Sequence, residues 1–403
     1  MKLNTAEKEM LSGGGGEAKR LAMEILLTVG RALGAEEFVP VVSVQAMAHF
    51  GSLHIAGRDW LEKLASMGGK CCVPTTQDPA SIPFPTWEEM GYDPEYAENQ
   101  LRLRDAIIEL GELPAWSCTP YNQGSVPRYR QNVAWAESSA VSYANSVVGA
   151  RTNRTPAGLA VLAALTGRMP KFGFYLDENR RAEFKVVLET ELSDLDYNTL
   201  GILLGKTVGN MVPALYGLPA SATNDNLKYL GASAASSGSV ALYHAAGVTP
   251  EAIHTDPFEG RAPKEELLVT RALLDEVEAG LQTKHPGDVD LVVVGCPHYS
   301  PMEILKVAEL MEGRRLKDGC EFWIFTTFEA ESLVRRMGAV SKLEAAGVRM
   351  MPGTCLVISP LVGKHETLMT DSGKFASYLP SEHHIELKYG SIERCVEAVT
   401  VEG

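Results

Sequence analysis

Val289-Asp-Leu-Val-Val-Val-Gly-Cys-Pro-His-Tyr-Ser-Pro301 decides the fold. Its apolar run, closed by a Gly-Cys-Pro turn, reads as a buried strand over 289–295, and Pro301 opens an amphipathic helix over 301–311. The pattern recurs downstream, with strands expected over 321–326, 348–351 and 355–358 and a helix over 329–337. Polar residues stand just after these strands: Cys296-Pro-His-Tyr-Ser, Thr326-Thr327 and Ser359. In open α/β sheets ligands bind at the carboxyl ends of strands, so these turns should face a site. Upstream, helices are expected over 17–34 (stopped by Gly34), 60–67 and 94–110, and strands over 38–43, 70–75 and 114–118. The fold class is α/β, and the chain divides into regions 1–155, 156–280 and 281–403. The middle region is rich in small residues, above all 231–238, which suit either close backbone approach or tight helix packing. Residues 257–288 are charged and are expected to form a surface helix and a boundary.

The chain has 403 residues, of which 45% are hydrophobic and 22% charged, enough for a large core. Lys plus Arg number 37 against 51 Asp plus Glu, a formal charge of −14. General nucleic-acid binding is therefore not expected, because it relies on an excess of cations neutralising phosphates. An anionic substrate would need a local basic cluster. No apolar run reaches the length of a membrane span. The N-terminus carries charges where a secretory signal needs apolar residues, and seven cysteines fit a reducing compartment, so the expected location is cytoplasmic.

Cys118, Cys296 and Cys355 each adjoin an expected strand and a Pro or Gly turn, an arrangement that allows strand ends to bring thiolates around one iron centre; buried core thiols are the alternative. Cys71, Cys72, Cys320 and Cys395 read as core thiols. The Gly13–Gly16 run lacks the Lys-Ser/Thr pair of a phosphate loop and reads as a turn. Residues 134–154 hold Glu137, Ser138, Asn145, Ser146, Arg151, Asn153 and Arg154 among small apolar residues. Such buried polar groups need partners, either one another or a polar ligand. Arg151 and Arg154 offer the fork that suits carboxylate or phosphate, and structural salt bridges are the alternative. The segments 177–181 and 370–375 read equally as charged turns, and His298 as a metal ligand, an acid or a hydrogen-bonded turn residue.

Cys118-Thr-Pro-Tyr, Trp135-Ala-Glu-Ser-Ser-Ala-Val, Ala144-Asn-Ser-Val-Val-Gly-Ala-Arg-Thr-Asn-Arg154, Leu176-Asp-Glu-Asn-Arg-Arg181, Gly205-Lys-Thr-Val-Gly-Asn210, Gly238-Ser-Val-Ala-Leu-Tyr-His244, Gly295-Cys-Pro-His298 and Asp371-Ser-Gly-Lys374 together closely resemble the aconitase X family, in order and over nearly the whole chain. The resemblance implies a hydro-lyase with three stacked α/β domains and an iron centre on Cys118, Cys296 and Cys355. Ordinary aconitases keep two ligands in a Cys-x-x-Cys pair, which is absent here, so the centre is either an iron-sulfur cluster or mononuclear iron. The family also uses a swivelling small domain that supplies a catalytic serine. This chain has no evident room for it, so a small partner subunit is expected.

Iron would draw off the hydroxyl of a hydroxy acid. Glu137, Ser138, His298 and Lys374 are the catalytic candidates. Arg151, Arg154 and Lys374 would orient the substrate's anion, with Asn145, Ser146 and Asn153 around it and Glu178, Arg180 and Ser372 as further candidates. Ser43, Gln45, Thr75 and Thr76 would complete the wall. Family reactions point to (R)-5-phosphomevalonate or to cis-3-hydroxy-L-proline as substrate. A non-catalytic iron-binding or regulatory subunit is the alternative of another class.

Overall fold

The computed structural model describes residues 1–124, 126–283 and 287–402. Its three parallel sheets share one winding. The largest runs Arg349–Pro352, Glu321–Thr326, Leu291–Tyr299, Thr367–Thr370, Glu386–Tyr389, all neighbours parallel. The chain lays two strands on one side of Leu291–Tyr299, then crosses to lay two on the other. Connecting helices cover both faces of such a sheet, which is why Leu291–Tyr299 is buried at every position. The reversal falls between Leu291–Tyr299 and Thr367–Thr370, the place where sheets of this kind open a ligand crevice.

The middle sheet repeats the scheme, with Phe184–Leu188 between Pro213–Tyr216 and Glu265–Val269, and His244–Ala245 outermost. In the N-terminal sheet Val44–Ala46 lies between Thr75–Gln77 and Ala134–Trp135. One apolar core joins the middle and C-terminal sheets, running from Phe184 and Leu230 through Val294 and Ile304 to Val396. A second, built on the Glu17–Ala32 and Ala157–Thr166 helices, underlies the N-terminal sheet.

The small residues at 231–238 serve helix packing. They lie in the Asn224–Gly238 helix, which packs closely on Asp194–Val208. A Cβ on Gly238 would stand 1.7 Å from the Gly205 carbonyl oxygen, and one on Gly201 2.5 Å from that of Leu230. Gly295, at φ +97°, is equally constrained, since a Cβ there would meet the Phe325 carbonyl at 2.0 Å.

Several expected elements differ. The 38–43 strand is two short strands, Phe38–Pro40, paired with Arg168–Pro170, and Val44–Ala46. Residues 70–74 form no strand, because the Cys71 and Cys72 amides bond to Leu110 and Ala164 carbonyls at helix ends. The strand itself is Thr75–Gln77. Residues 114–118 form no strand: the only bridge to Thr75–Gln77 among the described residues comes just before them, at Leu113, and the third strand is Ala134–Trp135 on the far side of Val44–Ala46. Residues 355–358 make a turn, with the Ile358 amide bonded to the Cys355 carbonyl. The helix expected over 60–67 is the end of Phe50–Ser66, which kinks at His54, φ 50°. The charged 257–288 stretch contains the strand Glu265–Val269 as well as the helix Arg271–Ala279; its residues 284–286 lie outside the described residues.

Replacing Gly238 by Ala forces backbone against backbone and should cost about 3 kcal/mol, the upper range for overpacking. Gly34→Ala, at a turn with open space, should cost about 1 kcal/mol through its positive φ alone. Thermal unfolding compares them, and equal shifts would refute the close-contact reading.

Candidate active site

The three N-terminal strands end side by side, and the residues just beyond them line one cavity of about 240 Å³. Met47 and His49 follow the first strand, Asp78 the second, and Ala136, Glu137 and Ser138 the third. Cys118 and Arg154 add to this wall. The opposite wall comes from the C-terminal region: Cys296 from the Leu291–Tyr299 strand, Cys355, Val357 and Ile358 from the turn after Arg349–Pro352, and Lys374 and Tyr378 from the Gly373–His383 helix. The cavity thus lies where the carboxyl ends of two sheets meet.

Glu137 and Lys374 form an ion pair across it. Burial opposes charge on both, but the pairing wins, holding the Glu137 carboxyl below its ordinary value and the Lys374 ammonium above. Glu137 also caps the Ser138–Tyr143 helix, accepting from the Ala140 amide at 2.7 Å, and takes bonds from the Ser138 and Ser139 hydroxyls. Arg154 contrasts with this. It is exposed at the cavity and, among the described residues, has neither a hydrogen-bond nor a salt-bridge partner.

The thiols of Cys118, Cys296 and Cys355 face the same space. Burial pushes Cys118 and Cys296 up, while hydrogen bonding from Cys296, aided by Lys374, holds Cys355 low. The His298 amide donates to the Cys118 sulfur at 3.2 Å. Ser372 caps the Gly373–His383 helix through the Phe375 amide at 3.1 Å and donates its hydroxyl to the Cys296 carbonyl. Among the described residues no group of three or more His, Cys, Asp or Glu is gathered tightly enough to hold a single metal ion. An iron-sulfur cluster makes a different demand, because each thiolate bonds a different iron. Three thiols around a shared cavity, one already accepting a backbone N–H, fit such a cluster.

Sequence profiles for the first, second and third domains of aconitase X match residues 1–178, 181–279 and 289–401. The chain belongs to the aconitase X family. It is 39% identical over 402 residues to the phosphomevalonate dehydratase large subunit of Methanosarcina mazei, covering 99% of this chain and 97% of that one. It is 35% identical over 408 residues to the cis-3-hydroxy-L-proline dehydratase of Pseudomonas aeruginosa, covering 98% of this chain and 70% of that one. The crystal structure of Thermococcus kodakaraensis aconitase X in its holo-form superposes with a TM-score of 0.90 at 33% identity, over 99% of this chain and all of the other.

Within this aconitase X fold, the cavity gathers Glu137, Ser138, Arg154, Lys374 and the three cysteines. Gln45 lies behind it, donating to the Ser117 carbonyl at 3.0 Å and accepting from the Glu137 amide at 3.3 Å. Ser372 holds the Cys296 backbone, while His298 reaches the Cys118 sulfur through its amide and the Thr354 carbonyl, at 2.9 Å, through its ring. The structure does not bring the rest of the polar block there. Asn145 is fully buried and spends its amide on Thr152, Ala241 and Arg180. Ser146 accepts from the Tyr243 amide, and Asn153 bonds Phe172 and Phe174. Arg151 pairs with Asp177, and Arg180 with Glu251. Glu178 is exposed at another cavity, beside Asn179 and Lys264. Ser43 bonds the Trp135 indole, Thr75 the Val73 carbonyl, and the Thr76 hydroxyl is buried without a partner among the described residues. None of these side chains lines the cavity.

His49 and Asp78 were not singled out by sequence reasoning. The signal available was position: Asp78 closes the polar turn after an expected strand, and His49 follows the short apolar run that holds Val44–Ala46.

Gln77 supports His49 indirectly by accepting the Ala48 amide at 3.2 Å while donating to Glu112. Burial raises the Glu112 carboxyl from 4.5 to about 8. The folded state therefore keeps its proton longer than the unfolded chain, and stability falls as pH rises from about 4.5 to 8, at up to roughly 1.4 kcal/mol per unit. Glu112→Gln should flatten that fall in denaturant titrations at pH 5 and 8. An unchanged pH dependence would refute the assignment.

Proposed function

We propose that this chain is the large subunit of a two-subunit hydro-lyase that dehydrates (R)-5-phosphomevalonate to trans-anhydromevalonate 5-phosphate. The observation that carries the reading is one cavity holding three thiols together with an unpaired guanidinium. The relatives named phosphomevalonate dehydratase large subunit support the substrate, and the words "large subunit" in those names support a small partner. cis-3-Hydroxy-L-proline is the second reading, favoured by the Pseudomonas relative.

Cys118, Cys296 and Cys355 would hold an iron-sulfur cluster. When bound, it supplies a Lewis-acidic iron toward the substrate's hydroxyl. The chain's own groups bind and orient. Arg154 presents five fixed donors to a phosphate or carboxylate at the cavity mouth. Lys374 keeps its proton on Nζ because Glu137 Oε1 holds it there, adding fixed positive charge inside. Ser138, bonded to Glu137 at 3.3 Å, fixes that carboxylate's orientation. The apolar side chains of Met47, Val357 and Ile358 restrict water.

Turnover by the anaerobically reconstituted complex with its small partner tests the reading; both substrates failing while iron is bound would overturn it. Alanine at Cys118, Cys296 or Cys355 should remove most bound iron and its visible absorbance, and full retention would sink the ligand assignment. Arg154→Gln should raise KM for 5-phosphomevalonate by about 10- to 100-fold, the worth of about 1.5–3 kcal/mol for a charged hydrogen bond, with iron content unchanged. An unaltered KM would remove Arg154 from the anion site.

A further inference from the structure

His49 is fully buried, yet among the described residues neither ring nitrogen has a hydrogen-bond partner. It stands at the N-cap of the Phe50–Ser66 helix without using its side chain as a cap. Its ring lines the cavity, where Nε2 lies 3.8 Å from Asp78 Oδ2. That separation is too long for a direct hydrogen bond but short enough for one oxygen atom to reach both. Asp78 is held from behind, its Oδ1 accepting from Gln45 Nε2 at 3.4 Å, while Oδ2 receives no protein donor among the described residues. Unpaired buried imidazole nitrogens are costly in a folded protein, so a site that keeps them is built for something that arrives later.

We propose that His49 and Asp78 form a hydroxyl subsite, in which the substrate's reacting hydroxyl bridges His49 Nε2 and Asp78 Oδ2. A hydroxyl both donates and accepts through one oxygen, so it can pair with His49 Nε2 and Asp78 Oδ2 whichever of the two presents a hydrogen. A carboxylate or phosphate oxygen only accepts, and those groups are served by Arg154 at the exposed mouth. The two subsites differ in depth, one exposed and one fully buried. A substrate with an anion at one end and a hydroxyl at its reacting carbon would satisfy both. The inference deepens the dehydratase reading and rests on it.

The dehydration product lacks the hydroxyl, which provides the test. In the reconstituted two-subunit complex, His49→Leu should keep its iron content and melting temperature, raise KM for 5-phosphomevalonate by about tenfold or more, and leave the inhibition constant of trans-anhydromevalonate 5-phosphate unchanged. His49→Gln, which keeps a donor and an acceptor, should recover part of the loss. An equal loss for substrate and product would mean a merely structural role, and no loss for either would mean that an ordered water occupies the place; each overturns the subsite. Wild-type complex turning over neither 5-phosphomevalonate nor cis-3-hydroxy-L-proline would overturn the dehydratase reading itself, and the subsite with it.

Discussion

The Glu137–Lys374 pair joins the two walls of the cavity, and much of the site's order depends on it. Both groups are nearly out of contact with water, where either charge alone would be costly and removal of one would strand the other. Each also stands at the start of a helix, so the pair fixes two helix entries as well as two charges. Ser138 bonds Glu137 directly, and Cys296 is tied to the Lys374 helix through Ser372. The pair acts together with the Ala80 amide and carbonyl, bonded to Gly353 and Cys355, and with the His298 amide on the Cys118 sulfur, in setting how the N-terminal sheet faces the C-terminal one.

The three sheets reach this meeting point by the same route, each wound outward from its first strand. The shared winding puts polar turns at carboxyl ends, and the glycine-lined helix pair of the middle region brings its sheet against the C-terminal one. The densest polar block, residues 145–154, then works as a scaffold. Its Asn amides turn to carbonyls and the Arg151 guanidinium to Asp177 and the Tyr175 carbonyl, while Arg154 faces outward.

Long periodic segments were legible in the sequence. The helices at Pro94–Leu110 and Pro301–Leu310 and the strand at Glu321–Thr326 follow apolar spacing closely. The short strands of the N-terminal sheet were not, since two or three residues carry no periodicity and their pairing is settled by distant partners such as Ala134 with Val44. The cysteines were legible through their Pro and Gly neighbours and the family motifs, although Cys296 lies within the Leu291–Tyr299 strand rather than in a turn after it. The division of labour among arginines was not, because Arg151 and Arg154 are chemically alike and only the position of Asp177 separates them. His49 was hidden for the opposite reason: a lone histidine after a short strand has no neighbours in sequence that announce it.

Arg154 also bears on how an anion arrives. The chain carries a formal charge of −14, so a phosphorylated solute approaches through a repulsive far field and meets attraction only within about a Debye length, near 10 Å at 0.1 M salt, of the guanidinium. Added electrolyte then acts with two opposite signs, easing diffusion toward the protein while loosening the last contact. Encounter rate and residence time would respond to ionic strength in different directions, a kinetic signature of a guanidinium at a cavity mouth on an acidic chain.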